Sequence, residues 1–226
     1  MSQLALPLQL ADHAVFASFL PDGNETLVAT LNDIASGQLH AGCWLWGSAA
    51  TGKTHLLQAV CDAAGDRAAY LPLSMLVDAG PGAVEGLASR EIVCIDDIDQ
   101  VFGDDEWEQA LFALCNQVAD VQGALVVSAS TTPREADVRL ADLASRMQRL
   151  AVFQVRELDD AETISALQLR SRHRGLELPD ETAQWLIKRS RRDMASLYDV
   201  LDRLDAAALQ AKRRLTVPFV REVLGS

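Results

Sequence analysis

Gly47-Ser48-Ala49-Ala50-Thr51-Gly52-Lys53-Thr54 is the stretch on which the reading of this chain turns. It fits the spacing GxxxxGK[ST] in full, and it stands in the context that spacing requires. The apolar run Cys43-Trp44-Leu45-Trp46 reads as a short buried strand before it, and a helical pattern follows from Lys53 to about Ala64. Gly47 and Gly52 permit a tight turn in which successive backbone N–H groups point inward at phosphates. Lys53 supplies a mobile positive charge for the β- and γ-phosphates, Thr54 a hydroxyl for Mg²⁺, and the helix N-terminus its dipole. A Gly/Ala-rich turn with a chance lysine would account for the letters but not for the strand and helix around them. His55, next along the first helical turn, is counted with the nucleotide-site positions, although packing beside that turn is a structural role.

Working outward, Ile92-Val93-Cys94-Ile95 is an apolar strand that ends in Asp96-Asp97. Two acids at a strand end usually mark only a solvent boundary. Beside a phosphate-loop strand they gain a chemistry: Asp96 near Mg²⁺, and Asp97 polarising a water against the γ-phosphate. Leu125-Val126-Val127 is a further central strand leading to Ser130, which either senses the γ-phosphate or water or caps the next turn. Arg146 follows a short helix-like stretch, Leu143-Ala144-Ser145. Its guanidinium either reaches the nucleotide of a neighbouring subunit or forms a surface ion pair.

Between these points, short apolar strands alternate with helices, including a second strand over Arg67–Leu71 and a helix over 106–119 with Trp107, Leu111, Leu114 and Val118 on one stripe. That alternation describes an α/β fold with a parallel sheet covered by helices on both faces. Trp107 shares its stripe with leucines and reads as a core anchor rather than a base-stacking residue. Residues 78–86 read as a loop. After about Phe153 only helical patterns remain: Asp159–Arg174, Pro179–Arg191, Met194–Lys212 and Pro218–Leu224. The expected organisation is a tail at 1–10, an α/β nucleotide-binding domain at 11–156, and a small all-helical lid domain at 157–226.

Charge is divided along the chain. Residues 1–133 carry 3 basic and 17 acidic side chains, while 134–226 carry 17 and 15. A whole-chain charge of -12 works against a protein that grips duplex DNA by itself. No apolar run approaches the ~18 residues of a membrane span. The start reaches Asp12 without a basic segment, which argues against a signal peptide. Cys43, Cys61, Cys94 and Cys115 are scattered through apolar runs without a CxxC pair. Buried thiols in a reducing cytoplasm explain them better than disulfides or zinc. The histidines, His13, His40, His55 and His173, are equally scattered.

The chain resembles the Hda family of AAA+ proteins, DnaA-homologous proteins of proteobacteria that switch off the replication initiator. The resemblance runs over nearly the whole length. It rests on QLALPL at 3–8, FASFLP at 16–21, GKTHLL at 52–57, VCIDDID at 93–99 and GDDEWEQALF at 103–112, and further on DLASR at 142–146, ALQLRSRHRGLELP at 166–179 and RRLTVPFVREVL at 213–224. It implies an ADP-binding protein (or ATP-binding, with Mg²⁺) that acts through Lys53 and Thr54. It implies that Gln3, Leu4, Leu6, Pro7 and Leu8 bind the DNA polymerase III sliding clamp, the β subunit. It also implies that Arg146 reaches ATP held by DnaA, in trans. DNA would then be met only through the clamp, with a homodimer or higher oligomer as a further possible assembly.

Two positions depart from the family pattern. Ala195 stands where DnaA-type lids carry a second-sensor arginine, so Arg191 or Arg192 substitutes or lid closure is weaker. Ser130 stands at a first-sensor position that is usually acidic. Both bear on hydrolysis by the chain itself more than on ADP binding. A different class of function, a self-contained ATPase loading a helicase or remodelling DNA machinery, is permitted by Lys53, Thr54 and Asp96-Asp97. The acidic first 133 residues and the short stretch from Tyr70 to Ile92 speak against it.

Overall fold

The computed structural model describes residues 14–189, 194–211 and 213–225. The tail expected at 1–10 lies outside them, as do Arg191 and Arg192. The described residues form a five-stranded parallel sheet: β1 (Cys43–Trp46), β2 (Ala68–Pro72), β3 (Ile92–Asp96), β4 (Ala124–Ala129) and β5 (Ala151–Gln154). Their order is β2-β3-β4-β1-β5. The acidic strand β3 is therefore not beside the phosphate-loop strand, as the sequence reading placed it. β4 lies between them, with Cys43 opposite Val126 on one side and Cys94 opposite Val126 on the other.

Alternate residues of each central strand enter separate cores, as the two-residue period of a strand requires. Trp44, Val93, Ile95, Leu125 and Val127 face one core with Trp107, Leu111, Leu114 and Val118 of α4 (Asp105–Asp120). Leu143 and Met147 of α5 (Ala141–Met147) join the same core. Cys43, Leu45, Ile92, Cys94 and Val126 face the other, against Leu27, Leu31 and Ile34 of α1 (Glu25–Ala35) and Leu56, Leu57 and Val60 of α2 (Lys53–Ala64). Trp107 is thus a core anchor, as its stripe indicates. The Trp44 indole N–H, fully buried, donates to the Thr131 carbonyl at 2.9 Å, which satisfies the only polar atom that side chain carries into the core. Cys43, Cys61, Cys94 and Cys115 are buried free thiols.

Three details differ from the sequence reading. β5 is a strand that the sequence reading did not name; it pairs with β1 at the sheet edge and its residues are mostly exposed. The connection after β2 holds a short helix α3 (Leu73–Leu76), and the loop expected at 78–86 is wound into 3-10 turns. Arg146 lies within the last turn of α5 rather than after it.

The remaining elements, α6 (Asp160–His173), α7 (Asp180–Arg189), α8 (Met194–Ala211) and α9 (Val217–Leu224), build a helical unit on their own core. Leu167, Leu186, Leu197, Leu201, Leu204 and Phe219 fill it. Its first helix is started by a reciprocal cap: Asp159 accepts from the Glu162 N–H, and Glu162 accepts from the Asp159 N–H, both at 2.8 Å. No helix among the described residues is long and apolar enough to cross a membrane.

Candidate functional site

The phosphate loop leaves β1 at Gly47 and enters α2 at Lys53. Two of its residues must be glycine for the loop to take this path. A Cβ on Gly47 would lie 2.8 Å from the Val155 carbonyl oxygen, and one on Gly52, whose φ is 102°, would lie 2.8 Å from the Phe19 ring. Lys53 is buried, and its Nζ donates to the carbonyls of Gly47 at 2.7 Å and Ser48 at 2.8 Å. Its ammonium is pulled below its ordinary range by burial, against the opposing fields of Asp97, Asp96 and Asp99. Thr51 Oγ1 donates to the Ser48 carbonyl at 3.1 Å, which closes the turn from within. Ala50 holds a left-handed φ of 61°, and Thr54 is exposed.

Asp96 is buried at the end of β3, and both its oxygens are engaged by neutral hydroxyls. Oδ2 accepts from the Tyr70 phenol at 2.8 Å, and Oδ1 accepts from Ser128 Oγ. Burial and the adjacent Asp96 carboxylate drive the Tyr70 phenol far above its usual range, so it remains a donor. Ser128, from the intervening strand β4, also accepts the Asp97 N–H at 2.9 Å. One hydroxyl of the neighbouring strand β4 thus ties down both acids. Asp97 sits at a left-handed φ of 56°. Its acid is raised above the usual carboxylate range by burial and then by Asp96, while a hydrogen bond with Ser74 and the Lys53 charge oppose the shift.

Ser130 neither caps the next turn nor stands free. Its N–H donates to Asp99 Oδ2 at 2.9 Å and its Oγ donates to the same oxygen. An acid from the turn after β3 thus lies against Ser130. Asp99 is the third acid of the VCIDDID run, so its signal was present in the sequence but unassigned. Tyr70, Ser74 and Ser128 had no such signal.

His55 is buried on the far side of Thr54, with its ring 5.5 Å from that of Phe19. Its Nε2–H donates to the Val15 carbonyl at 2.9 Å, and burial lowers its imidazole pKa to about 4. This is the structural role anticipated for it. The ring also borders a narrow cleft that opens beside Ala50, Thr51 and Gly52. Phe19 and Leu20 before α1, Arg156 after β5, and Met194 and Tyr198 of α8 complete its walls. The slot is narrow, mainly apolar and continuous with the phosphate loop, and none of these wall residues outside the loop was singled out in the sequence. Ala195 is exposed next to Met194 at the start of α8.

Arg146 is partly exposed on α5, and among the described residues it makes no hydrogen bond or ion pair. The structure does not bring it to the chain's own phosphate loop. Gln3, Leu4, Leu6, Pro7 and Leu8 lie outside the described residues.

The residues present fit a nucleotide phosphate chain with Mg²⁺. Mg²⁺ is ordinarily held by one or two carboxylates together with phosphate oxygens rather than by a cage of protein ligands. Thr54 and Asp96 offer that kind of partial shell, and no group of three or more His, Cys, Asp or Glu able to hold a metal occurs among the described residues.

Comparison with known proteins agrees with this geometry. The ATPase family associated with various cellular activities (AAA) matches residues 43–155, and the Hda lid domain matches residues 160–224. Domain III of the Thermotoga maritima replication initiation protein DnaA superposes with a TM-score of 0.76 at 20% identity, over 95% of this chain and 97% of that one. AMPPCP-bound DnaA from Aquifex aeolicus gives 0.67 at 18% identity, over 86% and 65%. The Thermotoga maritima RuvB Holliday junction branch migration motor gives 0.63 at 19%, over 92% and 69%. At such identities the superpositions establish the fold alone. The chain belongs to the AAA ATPase family, whose domains bind ATP or ADP, and carries behind that domain a lid that matches the Hda lid.

Proposed function

We propose that this chain is a negative regulator of replication initiation: ADP-bound and tethered to the sliding clamp, it stimulates hydrolysis of ATP held by DnaA. The observation that carries this reading is Arg146, in the last turn of α5, which makes no hydrogen bond or ion pair among the described residues. A guanidinium is permanently charged and can make two charge-assisted hydrogen bonds to phosphate oxygens. Presented to another molecule's nucleotide, it supplies charge stabilisation that the other site lacks. The Hda lid match and the DnaA-like fold favour DnaA as that molecule.

In the same reading the chain's own nucleotide is held by the backbone of residues 47–54, with Lys53 on the phosphates and Thr54 and Asp96 completing the shell of Mg²⁺. The tail residues Gln3, Leu4, Leu6, Pro7 and Leu8 engage the clamp as a short apolar motif, and tethering raises the effective concentration of the arginine contact. The deciding experiment measures turnover of DnaA-bound ATP on clamp-loaded DNA with and without this chain. Absent stimulation overturns the reading. Removing residues 1–8 should abolish co-elution with the clamp while leaving thermal unfolding nearly unchanged. A truncated chain that still co-elutes rules the tail out as the main contact.

A second reading, a self-contained ATPase acting as a helicase loader or remodeller, draws on Lys53 lying within the fields of Asp96 and Asp97. Multiple turnover of ATP by the chain alone would favour it.

A further inference from the structure

Glu108 stands in the first turn of α4, where an acidic side chain ordinarily faces water and the helix dipole. Here it is 1% exposed. Burying a carboxylate without partners costs several kcal/mol, so its partners identify what it does. Its Oε1 accepts the Gly103 N–H at 2.8 Å and the Arg139 N–H at 3.1 Å, and its Oε2 accepts the Leu140 N–H at 2.6 Å. Burial pushes the acid up, but these three donors and the Arg139 guanidinium outweigh it and hold the group below the usual carboxylate range. It is ionised at neutral pH.

The three donors belong to two separate places. Gly103 ends the turn that follows Asp96, Asp97 and Asp99. Leu140 is the residue at which α5 begins, and that helix start has no side-chain cap of its own. In a capping box a Glu or Gln at the third helical position reaches back to the N–H of the capping residue. In α5 that position is Leu143, which cannot, and Glu108 does so from another helix. The apolar contacts of Leu143 and Met147 hold α5 against the core but are non-directional. A carboxylate with three directed bonds fixes where the helix starts, and α5 is only 7 residues long, so Arg146 inherits that position.

We propose that Glu108 is a positioning residue for Arg146: by tying the entry of α5 to α4 and to the loop behind the acidic strand, it sets where the guanidinium is presented to a partner's nucleotide. This rests on the reading of Arg146 given above. Displacement of a reacting group by about 1 Å costs on the order of 10²-fold in rate.

The test uses the full chain in the stimulated turnover assay, with Glu108→Gln, Arg146→Ala and the double variant. Glu108→Gln keeps the volume but turns an amide NH₂ toward a backbone donor. Turnover should fall on the order of 10²-fold, with the half-saturating concentration of the chain and its ADP affinity little changed. The double variant should be no slower than Arg146→Ala, because both changes remove one interaction. In the unaltered chain, amide exchange should find Gly103, Arg139 and Leu140 protected although none lies inside a helix or strand. Normal turnover by Glu108→Gln beside an inactive Arg146→Ala overturns the proposal and leaves the arginine reading standing. Additive losses, or unprotected amides in the unaltered chain, also overturn it. Normal turnover by Arg146→Ala overturns the arginine reading, and this proposal with it.

Discussion

The phosphate loop and helix α5 treat their charges in opposite ways. Around the loop, the buried charges are spoken for within the chain, Lys53 on Gly47 and Ser48 and Asp96 on Tyr70 and Ser128, and the half-buried Asp99 holds Ser130. On α5 the guanidinium of Arg146 is held in place but has no partner among the described residues. A site that satisfies its own polar groups is ordered before a ligand arrives and can hold one without a second protein. An arginine with no partner among the described residues is available to another molecule. Under the proposed reading the two regions divide binding from activation, and changes to each should separate those functions.

The largest expected effect falls on α5. Arginines that complete another P-loop site contribute roughly 10³–10⁵ in rate, so Arg146→Ala should remove most stimulation of DnaA-bound ATP hydrolysis in a purified assay with clamp and DNA. Folding, ADP binding and clamp binding should be unaffected. Arg146→Lys should also fail, because a point charge does not reproduce the forked geometry. If Arg146→Ala stimulates normally, the contrast between the regions has no functional content.

The converse change belongs to the loop. Lys53→Ala removes charge-assisted contacts worth about 1.5–3 kcal/mol each, and ADP affinity measured by calorimetry should fall on the order of 10²-fold or more. The same variant tests whether the chain's own nucleotide supports the presentation of Arg146. Stimulation that persists at saturating partner would make the regions independent. An unchanged ADP affinity would mean that the nucleotide site lies elsewhere.

Much of the loop side could be read from the sequence, because local spacing determines it. GSAATGKT together with a flanking strand and helix specifies a turn whose backbone must face an anion. The uninterrupted apolar runs of β1, β3 and β4 mark strands buried on both faces. What escaped was set by distant residues. That β4 separates β1 from β3 follows from strand pairing, for which a run such as Leu125-Val126-Val127 carries no register. β5 escaped although Leu150-Ala151-Val152-Phe153 is an apolar run, because a run of that length beside the helical pattern before it does not by itself say strand, and only pairing with β1 at the sheet edge makes it one. Asp99 was visible as a letter, yet only the folded chain places it on Ser130. Glu108 looked like any first-turn acid until its three donors, two of them more than thirty residues away, were brought to it.

The smallest expected effect concerns how the loop side is fastened to the segment before α1. His55, on the phosphate-loop helix, donates to the Val15 carbonyl, while Phe19 from the same segment packs on Gly52. Burial first, and the Arg170 charge with it, lower the imidazole pKa from 6.5 to about 4, although the Val15 carbonyl opposes the shift. Below pH ~6.5 the unfolded chain takes up a proton that the folded chain refuses until about pH 4, so stability falls as pH falls through that window. At 1.36 kcal/mol per unit the loss is at most about 3 kcal/mol. A protonated ring can still donate to Val15, so the penalty arises from carrying charge in a buried place rather than from a broken hydrogen bond. His55→Gln keeps a donor and cannot titrate. It should flatten the pH dependence of the unfolding midpoint between pH 6.5 and 4 relative to the unaltered chain, even if it is less stable at pH 7. Amide exchange at pH 5 should loosen residues 14–20 before it loosens α5, because the titrating group lies on the loop side alone. If α5 loosens first, or if the pH slope survives the substitution, the two regions are not fastened independently and the division drawn between them fails at its structural base.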